Sequence, residues 1–223
     1  MAKQNKEGVS QKGRIHVLGI DLSKKSFQLH GVDNKGHPVI KKKLDRKALL
    51  PFIANIPECI IAIEACGGSH CFCRQFTELG HRVRMIAPQF VKPYVKSNKS
   101  DAADAEAICE AAQRPNMRFV PSKSIEQQDI QSLHRIRSQT VARRTALANQ
   151  IRGLLMEYGV IIPQGISFVR KQIPLILEDA ENALTPLFRE LLNELYEELV
   201  HLDQRVEQLE NCLLYTSPSP RDS

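Results

Sequence analysis

At 223 residues and 42% hydrophobic content, the chain has the length for one or two domains with real cores. No apolar run reaches the length of a membrane span, and the polar stretch up to Gly13 lacks the apolar centre of a signal peptide, so an intracellular protein is expected. The net charge of +6 is uneven: residues 178–210 hold ten acids against two arginines, which leaves the rest of the chain strongly basic and suited to a polyanion, nucleic acid above all.

After a polar tail over residues 1–13, expected to be disordered, residues 14–21, 26–32 and 39–44 read as three successive strands. Turn signals lie at residues 22–25 and at Asp33-Asn34-Lys35-Gly36, and the second of these suggests a hairpin. Residues 46–56 read as a helix, 58–64 as a strand, 69–79 as a helix closed by Gly80, and 81–86 as a strand. Three antiparallel strands followed by alternating strands and helices predict an α/β domain over residues 14–120, a mixed sheet with flanking helices in the order of the RNase H-like fold. In that order the first and fourth strands are neighbours.

That adjacency matters because of four acids. Asp21 ends the apolar run Ile15-His16-Val17-Leu18-Gly19-Ile20, and Glu64 ends Cys59-Ile60-Ile61-Ala62-Ile63; both runs have the look of buried central strands. Asp101 and Asp104 follow Ser100 in a segment of strong helix propensity, and their spacing of three puts them on one helix face. Taken singly, each acid is a cap, a solvated strand end or a helix-start preference. Taken together, they form the carboxylate cluster that two-metal phosphoryl transfer requires, with hard oxygen donors suited to Mg²⁺ or its substitute Mn²⁺. Glu106, two positions beyond Asp104, is expected to face elsewhere on the helix. The six cysteines lack the paired spacing of a zinc site and read as free thiols.

Residues 123–213 read as a helical coiled-coil region. A first long helix spans 125–158, and Arg135, Arg137, Arg143, Arg144 and Arg152 on it are candidate nucleic-acid contacts, the alternative being an ordinary solvated face. Residues 159–165, with Pro163, form a turn. A second long helix spans 186–213, where Leu192, Leu195, Leu199, Leu202, Val206, Leu209 and Leu213 alternate steps of three and four. This seam predicts packing either on the preceding long helix as an antiparallel hairpin or on the same helix of a second subunit. Residues 214–223, rich in Ser and Pro, share nothing with what precedes them. They look like a translated sequencing adaptor, so the natural chain is expected to continue past the seam.

Gly19-Ile20-Asp21-Leu22-Ser23-Lys24, Ile63-Glu64-Ala65-Cys66-Gly67, Ala87-Pro88 and Lys96-Ser97-Asn98-Lys99-Ser100-Asp101-Ala102-Ala103-Asp104-Ala105 together resemble the N-terminal half of insertion sequence 110 family transposases, over about residues 14 to 210. The resemblance implies a RuvC-like domain whose DEDD tetrad falls on Asp21, Glu64, Asp101 and Asp104 and binds Mg²⁺. It further implies DNA as substrate, a structured guide RNA encoded by the mobile element, assembly into a homo-oligomer through a coiled coil, and work at the nucleoid of a bacterial or archaeal cytoplasm. The family's serine nucleophile, carried by a separate C-terminal domain, has no matching position here, so none is assigned and this polypeptide alone is not expected to complete recombination. Two alternatives are a stand-alone RuvC-like Holliday junction nuclease and a non-catalytic nucleic-acid-binding dimerisation module.

Overall fold

The structure, a computed structural model, describes residues 13–95 and 101–216. The expected tail before Gly13, the motif segment from Lys96 to Ser100 and residues 217–223 lie outside the described residues. The chain forms two compact units, one up to Lys123 and one from Ser124 onward.

The first unit is built on a six-stranded mixed sheet of order β3-β2-β1-β4-β5-β6. Its strands are β1 (Val17–Asp21), β2 (Ser26–Val32), β3 (Pro38–Asp45), β4 (Ile60–Glu64), β5 (Arg82–Ile86) and the two-residue β6 (Phe119–Val120). Strands β1, β2 and β3 are antiparallel neighbours, whereas β4 runs parallel to both β1 and β5. Ile20 lies opposite Ile63, so the first and fourth strands end side by side, as the sequence predicts. Both faces of the central strands are covered, which is why they read as continuous apolar runs. One face packs Leu18, Ile20, Phe27, Ile61 and Ile63 against helices α1 (Arg46–Ala54) and α2 (Ser69–Glu78). The other packs Val17, Val32, Ile60, Ala62 and Ile86 against the short α3 (Pro88–Val91) and against α4 (Asp101–Ala111).

Helix α4 reaches the sheet because residue 19 is glycine. A Cβ there would stand 2.7 Å from the Cβ and the backbone N of Cys109, and closer still to the carbonyl of Ala105. The Cys109 thiol also donates to the carbonyl of Val17 at 3.7 Å. With Cys109 over the start of β1 and Ala105 over its middle, the helix runs against the strand direction. Its first turn therefore overhangs the C-terminal end of β1.

The described residues of the second unit form three helices, α5 (Ile125–Met156), α6 (Ile166–Glu178) and α7 (Pro186–Thr216). A reciprocal capping box between Ser124 and Gln127 starts α5. Arg137 meets Glu210, Arg144 meets Asp203, and Tyr158 stacks on Phe188 with ring centroids 4.2 Å apart, so α5 and α7 run antiparallel. Leu192, Leu199, Leu202, Val206 and Leu209 are buried, which sets the leucine seam within the chain's own hairpin. Helix α6 was not foreseen, because Pro174 interrupts its pattern. The carbonyl of Arg170, which Pro174 cannot serve, accepts the Tyr196 hydroxyl at 3.5 Å instead, while Val169 and Ile173 fill the core.

Candidate metal centre

Asp21, Glu64 and Asp104 line one open cleft with a cavity volume of about 640 Å³, together with Pro88, Val91, Lys92 and Val95. Each acid arrives by a different route. Asp21 and Glu64 are the last residues of adjacent strands, and alternation puts them on the α4 face beside Gly19 and Ala62. Asp104 comes from the overhanging first turn of α4, whose position Gly19 sets. Pro88, from the Ala87-Pro88 pair, opens α3 as its first residue and forms part of the cleft wall.

The electrostatics of Asp21 record how close the acids are. Burial pushes its carboxyl up from the ordinary 3.8, and the negative charges of Asp104, Asp101 and Glu64 push further, to about 6. All three other members of the sequence-derived set thus act on Asp21, including Asp101, which stands exposed at the helix start. The neighbouring Cys66 thiol is also raised, first by burial and then by Glu64 and Asp21. Cys66 sits two residues past Glu64, yet its place beside the cluster depends on the backbone turning immediately after β4, which no residue pattern announces. Lys92 is the other feature the sequence left unmarked. It borders the cleft from a 3-10 turn directly after α3.

Four hard oxygen donors that repel one another fit a divalent cation by chemistry, since a cation between them would relieve the repulsion. Among the described residues, no group of three or more His, Cys, Asp or Glu side chains is already drawn close enough to hold a metal ion.

Four of the five arginines of α5 are engaged within their own unit. Arg137 donates to Glu210 at 3.1 Å through Nε, Arg143 lies 3.7 Å from Glu198, and Arg144 lies 3.0 Å from Asp203, which Arg170 also approaches at 3.3 Å. Arg152 donates to the carbonyl of Ile162 at 3.1 Å. Arg135 is exposed. The acid-rich segment that sequence counting set apart is thus the electrostatic counterpart of the basic helix.

A family model described as transposase matches residues 18–160. The chain is 50% identical over 194 residues to a probable family 20 transposase of Pseudomonas aeruginosa, an alignment covering 86% of this chain and 57% of the relative. It is 40% identical over 199 residues to the transposase for insertion sequence element IS1328 of Yersinia enterocolitica (89% and 59%). It is 42% identical over 208 residues to the transposase for IS1111A of Coxiella burnetii (93% and 57%). The chain therefore spans less than two thirds of the length of these relatives. Among solved structures, T. thermophilus RuvC in complex with a Holliday junction substrate aligns with a TM-score of 0.36 and 15% identity, covering 47% of this chain and 98% of that one. On the family match and the identity to several members over most of its length, the chain belongs to the insertion sequence 110 family of DEDD transposases.

Proposed function

We propose that this chain is the metal-binding part of a DNA transposase, with Asp21, Glu64, Asp101 and Asp104 as both the catalytic and the metal-holding residues, for Mg²⁺ or Mn²⁺. The observation that carries the reading is the convergence of Asp21, Glu64 and Asp104 on one cleft, where burial first, and then the charges of Asp104, Asp101 and Glu64, raise Asp21 to about 6. A cation between the carboxylates would relieve their repulsion, and a cleft in which burial and like charges shift an acid is a functional-site candidate. When bound, a divalent ion supplies Lewis acidity to a phosphodiester. The chain's own part is positional: strand ends fix Asp21 and Glu64, and Gly19 lets α4 bring Asp104 and Asp101 over them. The half-buried setting of Asp21 also keeps part of the bulk water away.

The strand order, with an antiparallel hairpin feeding parallel β4 and β5, supports reading the unit as RNase H-like. DNA as substrate, an element-encoded guide RNA and a cytoplasmic, nucleoid-associated setting follow from family membership as parts of the proposal. Strand cleavage and transfer are proposed for the whole protein, with its nucleophile unassigned. Among the α5 arginines, Arg135 is the first proposed nucleic-acid contact, and Arg137, Arg143, Arg144 and Arg152 would have to exchange their present partners to join it. The α5–α7 hairpin is proposed to act as a coiled coil in homo-oligomer assembly, supported by Leu187 and Leu191, which stand exposed on α7.

Isothermal titration with Mn²⁺ tests the central reading. The wild-type chain is expected to bind, and Asp21→Asn or Asp104→Asn to weaken binding at least about tenfold, as loss of a charged ligand does. Unchanged affinity in both variants would refute the assignment.

A further inference from the structure

On the opposite flank of α4 from the carboxylate cleft lies a second groove of about 340 Å³, lined by β2, β3 and the first turns of α4. Its walls carry Gln28 and His30 from β2 and Lys41 and Lys43 from β3, with Ala103 and Glu106 from the helix. Register fixes which side chains point there. Gln28 pairs with Asp21 on one side and with Lys43 on the other, and His30 pairs with Gly19 and Lys41. Pairs directly opposite share a face, so Lys41 and Lys43 stand on the same face as Asp21, two strands away, or roughly 10 Å between backbones.

Resting on the metal-site reading above, we propose that this groove binds the sugar-phosphate backbone of the nucleic-acid strand engaged at the carboxylate cleft, with Lys41 and Lys43 as the phosphate contacts. Four clustered carboxylates repel a phosphodiester, so a site that receives one needs positive charge on its approach. Each strand of a duplex carries one phosphate per about 3.4 Å of helix axis, so a strand with one phosphate at the cleft carries others across the lysines. Lys41 is held in the groove by Glu106 at 3.6 Å, and Glu106 also lies 3.8 Å from the buried His30. Lys43 is exposed, with no ion pair to a described residue. Ala102 and Ala103 are small and leave the helix side of the groove open.

Lysines on an edge strand also serve simply to discourage pairing with another sheet. Lys42 fits that role: it too borders the groove, but alternation turns its side chain to the other face, with its ammonium 5.2 Å from the ring centre of Phe52. Its two neighbours line a concave surface beside a phosphoryl-transfer site, which edge protection does not require.

The test is binding of the 223-residue chain to a labelled DNA duplex of roughly 30 base pairs and to single-stranded RNA of the same length, titrated over about 50–200 mM salt with Mg²⁺ present. Lys41→Ala with Lys43→Ala should weaken binding about fivefold or more and flatten the salt slope by about 1 to 2. Lys41→Arg with Lys43→Arg should retain both. Lys35→Ala with Lys47→Ala, two exposed lysines elsewhere, controls for net charge and should leave the slope unchanged. Loss with DNA, with RNA or with both tells which strand the groove holds. A Lys41/Lys43 alanine variant that behaves like wild type or like the control, or a wild-type chain that binds neither nucleic acid, overturns the proposal. Mn²⁺ titration separates the two readings: the alanine pair should keep wild-type Mn²⁺ affinity, and a flattened slope in a protein that binds no Mn²⁺ would sink the metal site while leaving the groove standing.

Discussion

Asp21 ends β1 in the cleft that Glu64 and Asp104 also line. Its pKa is raised from the ordinary 3.8 to about 6 in the folded state, so the folded chain holds this proton more tightly than the unfolded chain does. The stability this contributes is fully present below about pH 4 and is lost as the pH rises through about 6. Solvent screening at a half-buried position leaves about 1 kcal/mol of it. Asp21→Asn is therefore expected to match the wild type in chemical denaturation below about pH 4 and to exceed it by about 1 kcal/mol at pH 7 in metal-free buffer. A variant less stable than wild type at pH 7 would mean that Asp21 is held by favourable partners and not strained by its neighbours. The location of Asp21 and Glu64 was legible in the sequence because buried parallel strands have no polar face, so the first acid after the apolar run marks the strand end. The shift itself was not, since it depends on how far α4 leans over the sheet.

At the scale of elements, the decisive contact is between Gly19 and α4. A methyl group at residue 19 would collide with the helix backbone at Ala105 and Cys109, not with a side chain free to turn aside. Gly19→Ala should cost about 2 kcal/mol or more, as overpacking against a rigid neighbour does, and it should also weaken Mn²⁺ binding, because the same displacement carries Asp101 and Asp104 away from Asp21. Calorimetric melting together with Mn²⁺ titration checks both effects. Normal stability with normal affinity would show that α4 can shift at no cost. In the sequence, Gly19 looks like any glycine in a strand; only the helix crossing explains it. Helix α6 was hidden for the opposite reason, because Pro174 is a helix breaker that tolerates its position once Tyr196 serves the carbonyl left without a donor. The face taken by Lys41 and Lys43 was equally out of reach, since a slip of one residue in β3 would have turned both to the other side.

Across the whole chain, the two units carry separate hydrophobic cores. Leu199 is fully buried among α5, α6 and α7, and the carboxylates stand on the sheet. Leu199→Ala should destabilise the helical unit by about 2–5 kcal/mol and leave Mn²⁺ affinity unaltered, which denaturation followed by helical signal and metal titration on the same variant would check. Loss of metal binding in that variant would tie the site to the helical unit. In the sequence, strand patterns give way to long helical periodicity near Lys123. The pairing of the long helices was not legible there, because a leucine seam serves a hairpin and a dimer equally well. The basic and acidic segments were correctly located by counting charges, but a count cannot tell a surface that awaits nucleic acid from one matched across a hairpin, as Arg144 and Asp203 are.

Asp21, Glu64, Asp101 and Asp104 are proposed to hold a divalent metal. The most direct test is a crystal of the chain soaked in Mn²⁺ and measured for anomalous scattering. A peak is expected in the cleft, bounded by the carboxylates of Asp21, Glu64 and Asp104, and it should disappear in Asp21→Asn. A map with no peak there, or with Mn²⁺ bound only elsewhere, would contradict the proposal.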